Sequence, residues 1–118
     1  MRHRHLRQVM RVYLEEAEGR LMPKAYAVVA YRSISDPQKL AAYAELALRA
    51  VAPFGARVLA RGNAAVALEH GLKERVVVDE YPSLEKAIAA YSSAAHGEAL
   101  KALGDGAVRD IRIVEGID

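Results

Sequence analysis

The sequence predicts an α+β domain in which an antiparallel sheet carries two helices on one face, its elements following in the order β, α, β, β, α, β. Three observations lead there. Four short runs are rich in β-branched residues and stop at glycine, proline or an Asp-Pro pair. Two stretches between them space apolar residues three and four apart, the period of a helix, behind aspartate or serine capping residues. The length of 118 residues suits one domain and not two.

Taken in order, Leu6, Val9, Met10, Tyr13, Leu14, Ala17 and Leu21 form a stripe of helical period with Arg and Glu opposite. Residues 1–21 therefore read as an amphipathic helix appended to a domain of residues 22–118. A free helix would leave that stripe as a continuous apolar face, so it is expected to dock on the body or on a second chain. The run Lys24–Arg32 is apolar at both odd and even positions, which predicts a strand buried on both faces. Asp36-Pro37 opens the next helix, with Asp36 as N-cap and Pro37 at the first position, where its missing N–H costs nothing. Leu40, Tyr43, Ala44, Ala47 and Val51 mark its inward face, and Pro53 and Gly55 end it. Arg57–Arg61 predicts a short strand, Gly62-Asn63 a turn, and Ala65–Glu69 a further short strand. Arg75–Tyr81 is the clearest strand, closed by Pro82, with Ser83 capping a second helix. That helix carries Leu84, Ala87, Ile88 and Tyr91, breaks at Ser92-Ser93, resumes through His96, Ala99, Leu100 and Leu103, and ends at Gly104 and Gly106. Asp110–Glu115 is the last strand. With two helices covering one sheet face, the other apolar face calls for a partner sheet, and a homodimer is expected.

Composition removes several function classes. The hydrophobic fraction of 53% and charged fraction of 27% are those of a chain that folds. There is no cysteine, hence no disulfide, thiolate nucleophile or Cys-based metal site. No apolar run approaches the roughly 18 residues of a membrane span, Arg7 and Arg11 interrupt any signal-peptide core, and a cytoplasmic protein is expected. The net charge of +2 resides in residues 1–22, which hold five Arg against three Glu. Nucleic-acid recognition shares this element order but needs a basic face and stacking aromatics, whereas the third strand offers Val76, Val77 and Val78 on a neutral body. No phosphate-binding glycine motif is found, no cofactor is expected, and His3 and His5 alone are too few to hold a metal.

Asp36-Pro37, Tyr43, Gly55 with Arg57, Arg61-Gly62, Leu68-Glu69, Arg75-Val-Val-Val, Glu80-Tyr-Pro-Ser83, Ala87, Tyr91 with Ser93, and Val114-Glu-Gly116 together resemble the domain-of-unknown-function 1330 family. The ordered set carries the likeness, over roughly residues 22 to 117. The resemblance implies a ferredoxin-like domain of the dimeric α/β-barrel superfamily, a homodimer, and relatives that include cofactor-independent monooxygenases, muconolactone isomerases and haem-degrading enzymes. Fold by itself does not assign a reaction. This chain departs from the family pattern where Ser-Pro-Glu-Tyr becomes Ser93-Ala94-Ala95-His96, and where a late helical Arg becomes Gly104. The helix of residues 1–21 has no counterpart in the family core.

Few residues offer chemistry. His96 shares a helical face with Ala99, Leu100 and Leu103, so it turns inward, either as a core histidine satisfied by backbone or water or as a general base. Tyr43 and Tyr91 lie on the inward stripes of the two helices, as packing residues or pocket hydroxyls. Asp79 and Glu80 are adjacent on a strand and point to opposite faces, which excludes a paired-carboxylate site. Arg61 and Glu80 are the remaining polar groups for a pocket, or else a structural salt bridge. Two functions follow: a dimeric barrel that binds a small organic molecule between sheet and helices, with oxygenase or isomerase chemistry without a cofactor, or a non-catalytic dimeric module whose interior is filled. A cavity beside Tyr43, Tyr91 and His96 separates them.

Overall fold

The computed structural model describes residues 8–10 and 23–117. Strands β1 (Ala25–Ile34), β2 (Arg57–Asn63), β3 (Arg75–Tyr81) and β4 (Ala107–Glu115) form one antiparallel sheet in the order β2-β3-β1-β4. Helices α1 (Pro37–Val51), α2 (Leu84–Tyr91) and α3 (Ala94–Leu103) cover one face. This is the ferredoxin-like arrangement that the element order predicts. Gln8, Val9 and Met10 are helical, and the rest of the expected helix over 6–21 lies outside the described residues, as do His3 and His5.

Strand β1 shows why the sheet is one-sided within a single chain. Ala25, Ala27, Val29 and Tyr31 point at the helices and are buried, whereas Tyr26, Val28 and Ala30 face the other way and are only half-buried. The strand expected to be buried on both faces is therefore covered on one. Alanines at 25 and 27 meet Ala87 and Ala90 of α2, so that helix and sheet approach closely around Tyr81 and Val51. A second cluster, Tyr43, Ala99 and Leu103, joins α1 to α3. Truncating Leu103, 4% exposed, to Ala removes most of that contact and should cost about 2–4 kcal/mol in a denaturant titration.

The helix starts follow the capping residues. The Asp36 carboxylate accepts from the backbone N–H groups of Gln38 at 3.0 Å and Lys39 at 3.1 Å. At the far end a short 3₁₀ turn, Ala52–Phe54, passes into Gly55, whose φ of 82° lies in the left-handed region. A Cβ there would also stand 2.7 Å from Cγ of Pro82. Gly55→Ala is accordingly expected to destabilise the fold by about 1–3 kcal/mol, read as a lowered unfolding midpoint; a change within about 0.5 kcal/mol would contradict the strain and the clash together.

Four expectations need correction. The expected strand over Ala65–Glu69 is absent: residues 64–74 form a loop, closed by Ala64 N–H to the Glu74 carbonyl at 2.9 Å and turned by Gly71 N–H to the Leu68 carbonyl at 2.9 Å. β2 pairs with β3 across the loop that holds this segment, and Val66 and Leu68 stay 70% and 77% exposed. Gly62-Asn63 continues β2 against Val76 and Arg75 and is not a turn. The interrupted second helix is two helices, because the Ser93 hydroxyl caps α3 by accepting from His96 N–H at 3.2 Å. β4 starts at Ala107, three residues before the expected Asp110, since its pairing with β1 continues past a register shift to Ile34.

Candidate functional site

Between the helices and the sheet lies a cavity of about 170 Å³ that opens to solvent. Its wall is built by period. On α1, Tyr43, Ala47 and Val51 follow one another at four-residue intervals and line it together. On the sheet, Val29 and Tyr31 of β1, Arg75, Val77 and Asp79 of β3, and Arg109 of β4 belong to one face, as the pairings Val29↔Val77, Ala27↔Asp79 and Tyr31↔Arg109 require. Val58 and Arg61 of β2 complete the rim and are exposed.

His96 stands in the first turn of α3 because Ser93 ends the break and caps the helix. It is 2% exposed. Its Nε2 lies 3.2 Å from the Tyr43 hydroxyl, and its ring meets that of Tyr91 edge-on at 4.9 Å between centroids. Nδ1 is buried without a hydrogen-bond partner. Burial lowers the His96 pKa below its ordinary 6.5, the Arg109 guanidinium lowers it further, and the Tyr91 backbone opposes them. The ring is thus neutral at pH 7, able to accept a proton. Tyr91 and Tyr81 are the opposite: burial first, then neighbouring oxygens, push both phenols up, Tyr81 to about 12, so both remain protonated donors. Burial raises the Asp79 carboxyl, against the pull of Arg61.

The lowered His96 pKa has a definite thermodynamic sign. Between 6.5 and the folded value, the unfolded chain binds a proton that the native chain does not, so stability falls as pH falls through that window. The raised pKa of Asp79 works in the opposite sense at lower pH, and the lowered pKa values of Asp105 and Asp110 act below 3.8. Melting temperatures measured from pH 7.5 downward should therefore drop from about pH 6.5, and His96→Gln should flatten that slope. A slope that the substitution leaves unchanged would assign it to other groups.

Of the five residues expected at a pocket, Tyr43, Arg61, Tyr91 and His96 line this cavity. Glu80 does not: it faces the opposite side of β3, where its carboxylate lies 3.4 Å from Lys24 Nζ. Its neighbour Asp79 takes the inward position. Tyr31, Arg75 and Arg109 are lining residues the sequence reading passed over. A period of two from Val77 would have turned Arg75 and Asp79 inward together. Arg109 carried no such signal, because it precedes the predicted start of its strand. The Arg109 guanidinium lies 4.5 Å from the Tyr43 ring centroid and 5.7 Å from that of Tyr31, and Arg75 lies 5.9 Å from the Tyr31 ring.

The four-stranded sheet and its helix-side cavity define a ferredoxin-like α+β protein. The chain belongs to the domain-of-unknown-function family DUF1330, whose model matches residues 24–117. Among solved structures it is similar to a protein of unknown function from Rhodopseudomonas palustris, at 17% identity and a TM-score of 0.63, covering 86% of this chain and 91% of that one. It is also similar to SnoaB, a cofactor-independent oxygenase from Streptomyces nogalater, at 8% identity and a TM-score of 0.55 over 81% of this chain and 95% of that one. A dimeric ferredoxin-like protein of unknown function from Thermobifida fusca is 14% identical, with a TM-score of 0.52 over 80% of this chain and 92% of that one. No curated protein matches the chain. At such identities the likeness concerns the fold. Among the described residues no helix is long and apolar enough to cross a membrane.

Proposed function

We propose that the chain is a homodimeric protein that binds a small organic molecule in the cavity between sheet and helices, and that His96, through Tyr43, moves a proton on the bound molecule. The observation that carries this reading is the cavity beside Tyr43, Tyr91 and His96, about 170 Å³ of space that packing has not filled. An apolar cavity of roughly 150 Å³ accommodates benzene, so the guest is one ring or a chain of similar bulk. The alternative, a module filled by its own side chains, lacks that support.

The chemistry follows from the proton inventory. An oxygenase that dispenses with a cofactor must activate its substrate by removing a proton, and an isomerase that shifts a double bond must move one. A neutral, buried imidazole hydrogen-bonded to a tyrosine hydroxyl supports either step. The fold shared with a cofactor-independent oxygenase agrees with this but does not choose between them.

Two features support the dimer: the uncovered sheet face, where Val28, Val78, Val108 and Val114 surround the Asp110–Arg112 pair and Val108 and Val114 are 54% and 56% exposed, and the fold shared with a dimeric ferredoxin-like protein. For the cavity, single-ring compounds at millimolar concentration should raise the melting temperature of the wild type. Ala47→Phe, which fills the lining, should abolish the rise. If no ring compound has any effect and Ala47→Phe stabilises the chain, the space is a packing defect and the non-catalytic module is the correct description.

A further inference from the structure

The cavity is unusual in its charge. Three guanidinium groups, Arg61, Arg75 and Arg109, share it with a single carboxylate, Asp79. None of the ion pairs formed among the described residues includes any of the three arginines. Arg75 and Arg109 rest instead on tyrosine ring faces, Tyr31 for both and Tyr43 for Arg109 as well. A ring face stabilises a cation without neutralising it, so the positive charge remains uncompensated. The Arg75 Nε–H is buried with no acceptor, and on the same strand the Asp79 Oδ1 is buried with no donor. Buried donors are rarely left in that state unless something outside the chain completes them.

From this we infer that the ligand is a carboxylate, a compact organic acid whose anionic group is received by Arg75 with Arg61 and Arg109 around it, and whose apolar body lies against Val29, Val51 and Val77. The inference rests on the reading of the cavity as a binding site and names the chemical class that site takes. The guanidinium fork matches a planar carboxylate with paired hydrogen bonds. A phosphate is a poorer match, since the lining contains no glycine, serine, threonine or lysine and hence none of the usual phosphate cradle. A neutral oxygen could accept from Arg75 but would leave three guanidinium charges facing one carboxylate, and a cationic guest would add to them.

The test is a matched set of single-ring probes, each titrated calorimetrically into the full chain: sodium benzoate, benzyl alcohol, benzylamine and phenyl phosphate. Benzoate should bind about tenfold or more tightly than benzyl alcohol, and benzylamine should not bind. Arg75→Met should weaken benzoate by about tenfold while leaving benzyl alcohol within about twofold. Arg61 is exposed, so Arg61→Met is the companion variant that folds in any case; it should weaken benzoate by a smaller factor. Benzyl alcohol or benzylamine binding as well as benzoate, or benzoate binding indifferent to both substitutions, overturns the carboxylate and leaves the binding site standing. Tighter binding of phenyl phosphate replaces the carboxylate by a phosphate. If none of the four binds, the binding-site reading itself fails, and this inference with it.

Discussion

Val78→Asp should convert the proposed homodimer into a monomer. Val78 pairs with Val28 of β1 and Ala60 of β2, so it occupies the middle of the sheet face that the helices leave uncovered. Val76 precedes it on the same face. In the isolated chain that position is only half-buried, and a carboxylate there can still reach water. Against a second sheet it would lose that water, and Arg112, in the same row across Val28, is already paired with Asp110. An unpaired charge inside an interface costs about 2–5 kcal/mol, which weakens association by between about 30-fold and a few thousandfold. Light scattering at micromolar concentration should report about twice 12.9 kDa for the wild type and 12.9 kDa for the variant, with cooperative unfolding retained. A wild type that runs as a monomer would remove the sheet-face dimer altogether.

His96→Ala carries the second large effect, and here binding and folding are coupled in one side chain. The imidazole is almost fully buried, accepts or donates one hydrogen bond with Tyr43, and packs edge-on against Tyr91. Truncation enlarges an existing cavity and leaves the Tyr43 hydroxyl without its partner. The two losses together should cost about 2–4 kcal/mol, a fall in melting temperature of roughly 10 °C or more for a domain of this size. A compact ring compound that enters the enlarged space should restore part of that loss. A melting temperature within a few degrees of wild type would mean that the interior around α3 repacks, and that His96 contributes far less to the core than its burial suggests.

The sequence determined the elements and their order, because those rest on local chemistry. Asp36-Pro37 opens a helix through a side-chain cap and a fixed φ, Gly55 ends one because only glycine enters the left-handed region without strain, and the Arg75–Tyr81 run prefers an extended chain wherever it lies. The inward direction of Tyr43, Tyr91 and His96 was legible for the same reason, since helical period alone sets it. The tertiary structure decided what the period cannot. Glu80 was the carboxylate expected at the pocket, and pairing with Tyr26 and Ala27 assigned Glu80 to the outer face and Asp79 to the inner one. Ala65–Glu69 was expected as a strand and is a loop, because β2 takes β3 as its hairpin partner and the segment only connects the two. Arg75 and Arg109 became a cationic pair around the Tyr31 ring only when β3 and β4 closed on either side of β1. Strand pairing is long-range, and a register shift of one residue exchanges the two faces of a strand. The charge of the cavity is therefore a property of the assembled sheet and of no single segment.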